Sequence, residues 1–299
     1  MVFLVGLSSR MKKEWILLLA LLLLSGCGGF PPPAEPEEEA AITLPEPRRL
    51  GPLSAPAIVT EGRPPAEDYD LPPLPRDTDW TTYQNHAMHW VTDGPHIAVL
   101  AEDREADAVL YGLPLYANSS GETALIRWGD SLAEFDWTLF PDPSMVLPQI
   151  KCLDAGGGAK EPAVICQVGT GTGVSIQELH ILKRGPEKTL TSYTFPESLW
   201  QEEIPKLFDT AELGGRTFAM LGHELVEFSH EGLDLEKTSS GMIAGFSIED
   251  WGSLQLRGAF CLSPPDSPIP CYLAETSAQI SYRNGMFTLQ GFHLYSYDQ

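Results

Sequence analysis

A mainly β fold is what this 299-residue chain predicts: antiparallel meanders forming a sandwich or a propeller-like array, with one short helix near residues 196–208. Three observations carry that expectation. Short runs rich in β-branched and aromatic residues recur from residue 96 onward, each bounded by turn formers. Only one stretch spaces its apolar residues as a helix does. Near the C-terminus, Asn284-Gly285 joins two strand-like runs, which is the preferred two-residue hairpin turn.

In chain order, HIAVLAED (96–103), ADAVLYGL (106–113) and TALIRWG (123–129) read as strands. LAEFDWTLF (132–140) alternates, which puts Phe135 and Trp137 on one side and Glu134 and Asp136 on the other. EPAVICQV, SIQELHIL, RTFAML, HELVEF, MIAGFSI and SLQLRGAF follow as further strands, and AQISYRNGMFTLQGF (278–292) is the hairpin. The helix comes after Phe195-Pro196, where Leu199, Trp200, Glu203 and Ile204 share helical spacing and Pro205 ends or kinks the run. A second helical turn is expected around Thr81–Met88.

The N-terminus speaks to location. Lys12 and Lys13 precede an unbroken apolar run from Trp15 to Leu24, the layout of a signal peptide and too short to span a bilayer comfortably. Leu24-Ser25-Gly26-Cys27 resembles the bacterial lipoprotein lipobox. The resemblance implies cleavage before Cys27, a lipid thioether on its sulfur and further acylation, such as palmitate, at the new N-terminus. Several chains would make a stable anchor, since each buried methylene contributes about 0.8 kcal/mol. The expected location is the extracytoplasmic face of a membrane. Residues 1–26 are then the signal peptide, with 1–10 either an upstream mis-start before Met11 or a genuine extension.

Residues 27–78 hold the lipidated cysteine and a Pro/Glu-rich stretch with 13 of the chain's 26 prolines. Proline fixes φ and removes amide donors, so the expectation is a disordered stalk carrying a β-domain over residues 79–299. Loss of Arg10, Lys12, Lys13 and Glu14 on cleavage takes the formal charge from −22 to −24. That charge argues against nucleic acid as a partner.

Four further cysteines allow three pairings. Oxidation is plausible in an exported protein, and the pairs nearest in sequence, Cys152–Cys166 and Cys261–Cys271, are expected to staple two hairpin loops. A four-cysteine zinc site would need close C-x-x-C pairs, which are missing here, so no metal is assigned.

VICQVGTGTGVSIQEL (164–179) has the glycines of a cofactor loop. A cofactor loop opens a helix whose N-terminus holds the ligand. Here Val174, Ile176 and Ile181 favour strand, so GTGTG reads as a reversal between antiparallel strands and no cofactor is expected. Asp154-Ala155-Gly156-Gly157-Gly158-Ala159-Lys160-Glu161-Pro162 resembles the calcium loop of integrin-type propeller repeats, D-x-D-G-D-G-x-x-E. Only Asp154 and Gly157 match; Gly156, Gly158 and Pro162 stand where acids would, so the resemblance implies a β-domain whose calcium site is degenerate.

HELVEFSHE (223–231) begins like a zinc-protease helix, but Glu227 stands where the second histidine belongs. His86 and His89 read as part of a surface turn beside Trp90. Glu134 and Asp136, flanked by Trp128 and Trp137, are the carboxylates to test first for a glycosidase-like role. The leading expectation is a non-enzymatic binding or interaction module at the cell surface, contacting a surface protein or a glycan. An extracytoplasmic hydrolase acting on cell-wall or extracellular glycans, or a structural assembly subunit, are the alternatives.

Overall fold

The structure is a computed structural model. It describes residue 46 and residues 48–76, 79–85, 97–113, 123–137, 139, 147–171, 174–229, 234, 239–249, 252–265 and 270–296. Leu24 to Cys27, His86, His89 and His230 lie outside the described residues. The chain is mainly β, and its described strands form four antiparallel sheets.

The first sheet runs β1 (Leu53–Pro56), β17 (Met286–Ser296), β16 (Cys271–Arg283), β15 (Leu254–Ser263) and β14 (Ser239–Ile248). The second runs β2 (Ile58–Glu61), β10 (Leu190–Thr194), β9 (Val174–Arg184), β8 (Glu161–Gly171) and β7 (Gln149–Leu153). A third joins β3 (Ala98–Asp103), β4 (Ala108–Gly112), β5 (Ala124–Trp128) and β6 (Ser131–Phe135). The smallest joins β11 (Phe208–Leu213), β12 (Arg216–Leu221) and β13 (Glu224–Phe228).

The second sheet is the middle layer. Ala163, Ile165, Leu179 and Ile181 face the core shared with the first sheet, among Phe246, Phe260, Tyr282 and Phe287. Val164, Cys166, Leu182 and Leu190 face the opposite core, with Leu110, Ile126, Phe135 and Trp137 of the third-sheet side. A strand buried on both faces needs apolar residues at every position. That is why AVIC (163–166) shows no alternation.

Local signals are realised where expected. Asn284 and Gly285 both take positive φ, 51° and 80°, in the tight turn between β16 and β17. β8 and β9 pair antiparallel through Gly171↔Val174, so Gly169, Thr170 and Gly171 lie in an antiparallel ladder. Leu199–Glu203 is helical and continues as a tighter turn over Ile204–Leu207 before Phe208 opens β11. A helical turn also covers residues 80–85. HELVEF forms the strand β13, not a helix.

Two expectations need correction. The Pro-rich stretch expected to be disordered stalk to residue 78 is, from about Leu50, part of the β-domain. β1 pairs with β17, and β2 pairs with β10. Arg63 exchanges backbone hydrogen bonds with Glu134, both 2.9 Å. Tyr69, Leu71 and Leu74 then cover the outer face of the third sheet. Proline is tolerated because both strands sit at sheet edges, where a missing N–H leaves no ladder bond unmade.

The cysteines are also corrected: Cys152, Cys166, Cys261 and Cys271 are free thiols. Cys152 lies opposite Pro162 in the β7–β8 register. Cys166 is four residues further along β8, about 13 Å at strand rise, and a disulfide tolerates roughly 7 Å between Cα atoms. Cys261 lies opposite Tyr272, while Cys271 lies opposite Leu262. Neighbouring positions on a strand face opposite sides, so the two thiols point apart. Burial pushes the Cys152 thiol up to about 12 and raises Cys166 and Cys261 as well, which keeps them protonated and unreactive.

Candidate functional site

Glu134 and Asp136 do come together, but on Arg63. The guanidinium meets Asp136 Oδ1 at 2.5 Å and lies 3.9 Å from Glu134 Oε2. The Glu134 side chain is only 5% exposed. Its Oε1 accepts from the Ala66 amide at 2.6 Å and from the Tyr69 hydroxyl at 2.8 Å. These carboxylates fasten the incoming N-terminal segment to the third sheet. Phe135 and Trp137 on the other side stack at 4.7 Å, as the alternation predicts.

The expected calcium loop is a turn held by its own backbone. Asp154 Oδ1 accepts from the amides of Gly156 and Gly158, both 2.8 Å, and these bonds hold its carboxyl below the usual range. Among the described residues, no group of three or more His, Cys, Asp and Glu gathers as a metal set. Glu224, at the start of β13, accepts from the Leu294 amide and meets His293 Nδ1 at 3.0 Å. It pins the small sheet to β17.

The strongest site lies where the edges of three sheets meet. β3 ends the third sheet, β7 ends the second, and the turn after β14 closes the third side. Between them is a pocket of ≈ 620 Å³, lined among others by Trp80, Tyr83, Glu102, Gln149, Lys151 and Glu249.

Asp79 starts the helical turn that supplies Trp80 and Tyr83. Its Oδ1 accepts from the Thr82 amide at 2.9 Å and its hydroxyl at 3.2 Å, a side-chain cap on the turn. Residues three apart on such a turn share a face. Trp80 and Tyr83 therefore lie together over the end of β3. Trp80 remains 49% exposed.

A bulge between Val99 and Ala101 resets β3 just before the pocket. Leu100 and Ala101 both enter the core. Asp103 is buried, and accepts from the Cys152 amide at 2.8 Å and lies 3.3 Å from Lys151 Nζ. Glu102 turns the other way, beneath Tyr83. Its Oε1 takes three donors: Tyr83 Oη at 2.5 Å, Arg104 Nε at 2.9 Å and an Arg104 terminal nitrogen at 2.7 Å. Its Oε2 is buried and has no partner, although the side chain is only 2% exposed. Burial, reinforced by the Glu102 carboxylate, raises the Tyr83 hydroxyl well above its ordinary value, so it stays a donor.

A second groove of ≈ 640 Å³ lies on the outer face of the first sheet, lined by Gln255, Arg257, Glu275, Ser277 and Tyr295 over Gly245 and Gly258. None of its lining residues carries a buried, unpartnered polar atom. Leaving such an atom unsatisfied costs about 1–3 kcal/mol, more if charged, so the pocket at Glu102 is the one built at a cost to stability.

His180 is a buried titratable group away from both. Its ring stacks on Trp137 at 3.9 Å, and its Nδ1 lies 2.9 Å from the Thr194 hydroxyl. Burial holds the imidazole below its ordinary value, outweighing Glu178, whose carboxylate sits 3.3 Å from Nε2 and pulls the other way. The neutral ring is the folded form, so the unfolded chain takes up the proton first. Its contribution to stability is whole above about pH 6.5 and falls as pH drops, by at most about 1.4 kcal/mol per pH unit. Thermal melts between pH 7 and 5 should show a smaller acid-induced loss in His180→Phe than in the wild type; equal losses would refute it.

Neither Trp80 nor Glu102 stands out in the sequence as a site residue. Glu102 is one acid at the end of an apolar run, as Glu134 is in its own strand. The chain matches no protein-family model, no curated protein and no solved structure.

Proposed function

We propose that this chain is a lipid-anchored, extracytoplasmic binding module that presents the Trp80–Glu102 pocket to a small polar ligand. The observation that carries the binding role is the buried Glu102 carboxylate, with one oxygen saturated and the other without a donor, in the wall of a pocket. Concave sites with a few convergent polar groups are where small ligands bind. The chemistry is that of binding. Glu102 is neutralised by Arg104, and Glu249 is committed to Arg257 at 2.7 Å and to the Ser247 hydroxyl at 3.0 Å. Among the described residues of the lining there is no Ser, Thr, Cys or His to serve as a nucleophile.

The anchor rests on Leu24-Ser25-Gly26-Cys27 after an apolar run. Among the described residues no helix is long and apolar enough to cross a membrane. Residues 28–49 would then tether the β-domain to the lipid. In a bacterial host, globomycin should make an unprocessed precursor accumulate, and Cys27→Ala should abolish incorporation of labelled palmitate. Unchanged processing together with palmitate label in the Cys27→Ala chain would overturn the anchor.

A further inference from the structure

We infer that the pocket takes a neutral saccharide, with one sugar ring laid on Trp80 and a hydroxyl donating to Glu102 Oε2. The inference rests on the binding role proposed above and names its ligand class.

Three features select that class. The first is the kind of atom left open. Oε2 of Glu102 can only accept, and Oε1 already holds three donors. A hydroxyl is a donor that brings no charge with it. The second is the charge of the walls. Although the whole chain carries a formal charge of −22, each acid at the pocket has a base beside it: Glu102 with Arg104, Asp103 with Lys151, Glu249 with Arg257. Among the described residues, a cation entering here finds no net negative field to compensate its desolvation, and an anion finds no free positive group. A neutral polyhydroxyl ligand loses the least. The third is Trp80, whose large ring stands half-exposed at the pocket's rim. The apolar face of a sugar ring stacks on such a surface, while its edge hydroxyls reach polar partners. Gln149, exposed on β7, adds an amide that can both donate and accept.

Access sets the mode of binding. Oε2 is buried, on a side chain that lines the pocket. The short turn of residues 80–85, capped by Asp79, is tied to the same carboxyl through the Tyr83 hydroxyl on Oε1. A hydroxyl reaches Oε2 when Tyr83 shifts outward, so Trp80 moves as the ligand seats.

The test uses the full chain in detergent micelles, titrated by calorimetry and by tryptophan fluorescence. The probes are a panel of neutral tetrasaccharides, including β-1,4-glucose, β-1,4-N-acetylglucosamine and α-1,4-glucose series, with choline and citrate as charged probes. At least one neutral tetrasaccharide should bind and change the fluorescence. Glu102→Gln, which nearly preserves shape, and Trp80→Ala, at an exposed site, should each weaken that binding at least tenfold while the melting temperature stays within about 3 °C. Binding of choline or citrate, lost in both variants, with none by any saccharide would overturn the saccharide and leave the pocket's binding role standing. Saccharide binding undiminished in both variants, or no binding by any probe, would overturn both.

Discussion

Replacing Gly258 with alanine is expected to lower the melting temperature by roughly 10 °C. Gly258 sits in β15 opposite Ala244 of β14. A Cβ there would lie 2.0 Å from the Ile243 carbonyl oxygen and 2.8 Å from the Ala244 Cα. Both are backbone atoms, so no side chain can swing aside. The edge strand β14 and its neighbour β15 must separate or bend, and Phe260, two residues on, stacks on Phe208 at 4.0 Å and would be dragged with them. Overpacking costs about 1–3 kcal/mol where neighbours can adjust; against a backbone the upper end applies. For a chain of this size each kcal/mol moves the midpoint by roughly 2–4 °C. Gly51→Ala, with nothing within 4 Å of its added methyl, is the matched control and should melt as the wild type does. Equal midpoints for Gly258→Ala and the control would show that the strands are not held this tightly.

The second large effect concerns where the domain begins. A chain starting at Asp79 is expected to lose the cooperative melt that a chain starting at Leu44 shows by circular dichroism. The shorter chain lacks β1 and β2, which edge the first two sheets, and the Ser54–Thr288 side-chain bond at 2.8 Å. It also strips Glu134 of the Ala66 amide and the Tyr69 hydroxyl. A buried carboxylate left without donors costs about 1–3 kcal/mol or more. Leu50, Leu53 and Ala55 leave one core, and Tyr69, Leu71 and Leu74 uncover another. These leucines are partly buried, so each contributes a fraction of the roughly 1.5–3 kcal/mol that full burial gives. Together these losses rival the whole stability of a typical domain, about 5–15 kcal/mol. A cooperative melt at the same temperature for both chains would place the boundary at Asp79 after all.

That boundary shows where sequence reading stops. Its prolines gave residues 50–75 the look of a stalk, because composition reports what a segment cannot do alone. Here the segment does nothing alone. It borrows donors and acceptors from β17, β10 and Glu134, and an edge position excuses its prolines. The cysteines misled for a related reason. Nearness along the chain suggested the pairs, whereas register decides which sulfurs face each other.

What the sequence determined by itself was everything set by neighbours along the chain. Alternation put Phe135 and Trp137 on one side, the φ preference of Asn284-Gly285 made a hairpin, and β-branched residues after the glycines made Val174–Arg184 a strand. Only the tertiary structure decided which faces are covered and by what. Glu102 and Glu134 look alike in sequence, each an acid in an apolar run. Residues 63–69 cover one, giving Oε1 two donors and setting Arg63 beside Oε2, while a short helical turn lies over the other and leaves one buried oxygen without a donor. Strand pattern specifies the side a residue faces, but its partners lie up to hundreds of positions away, and only the packing of sheet edges brings them within a hydrogen bond's reach.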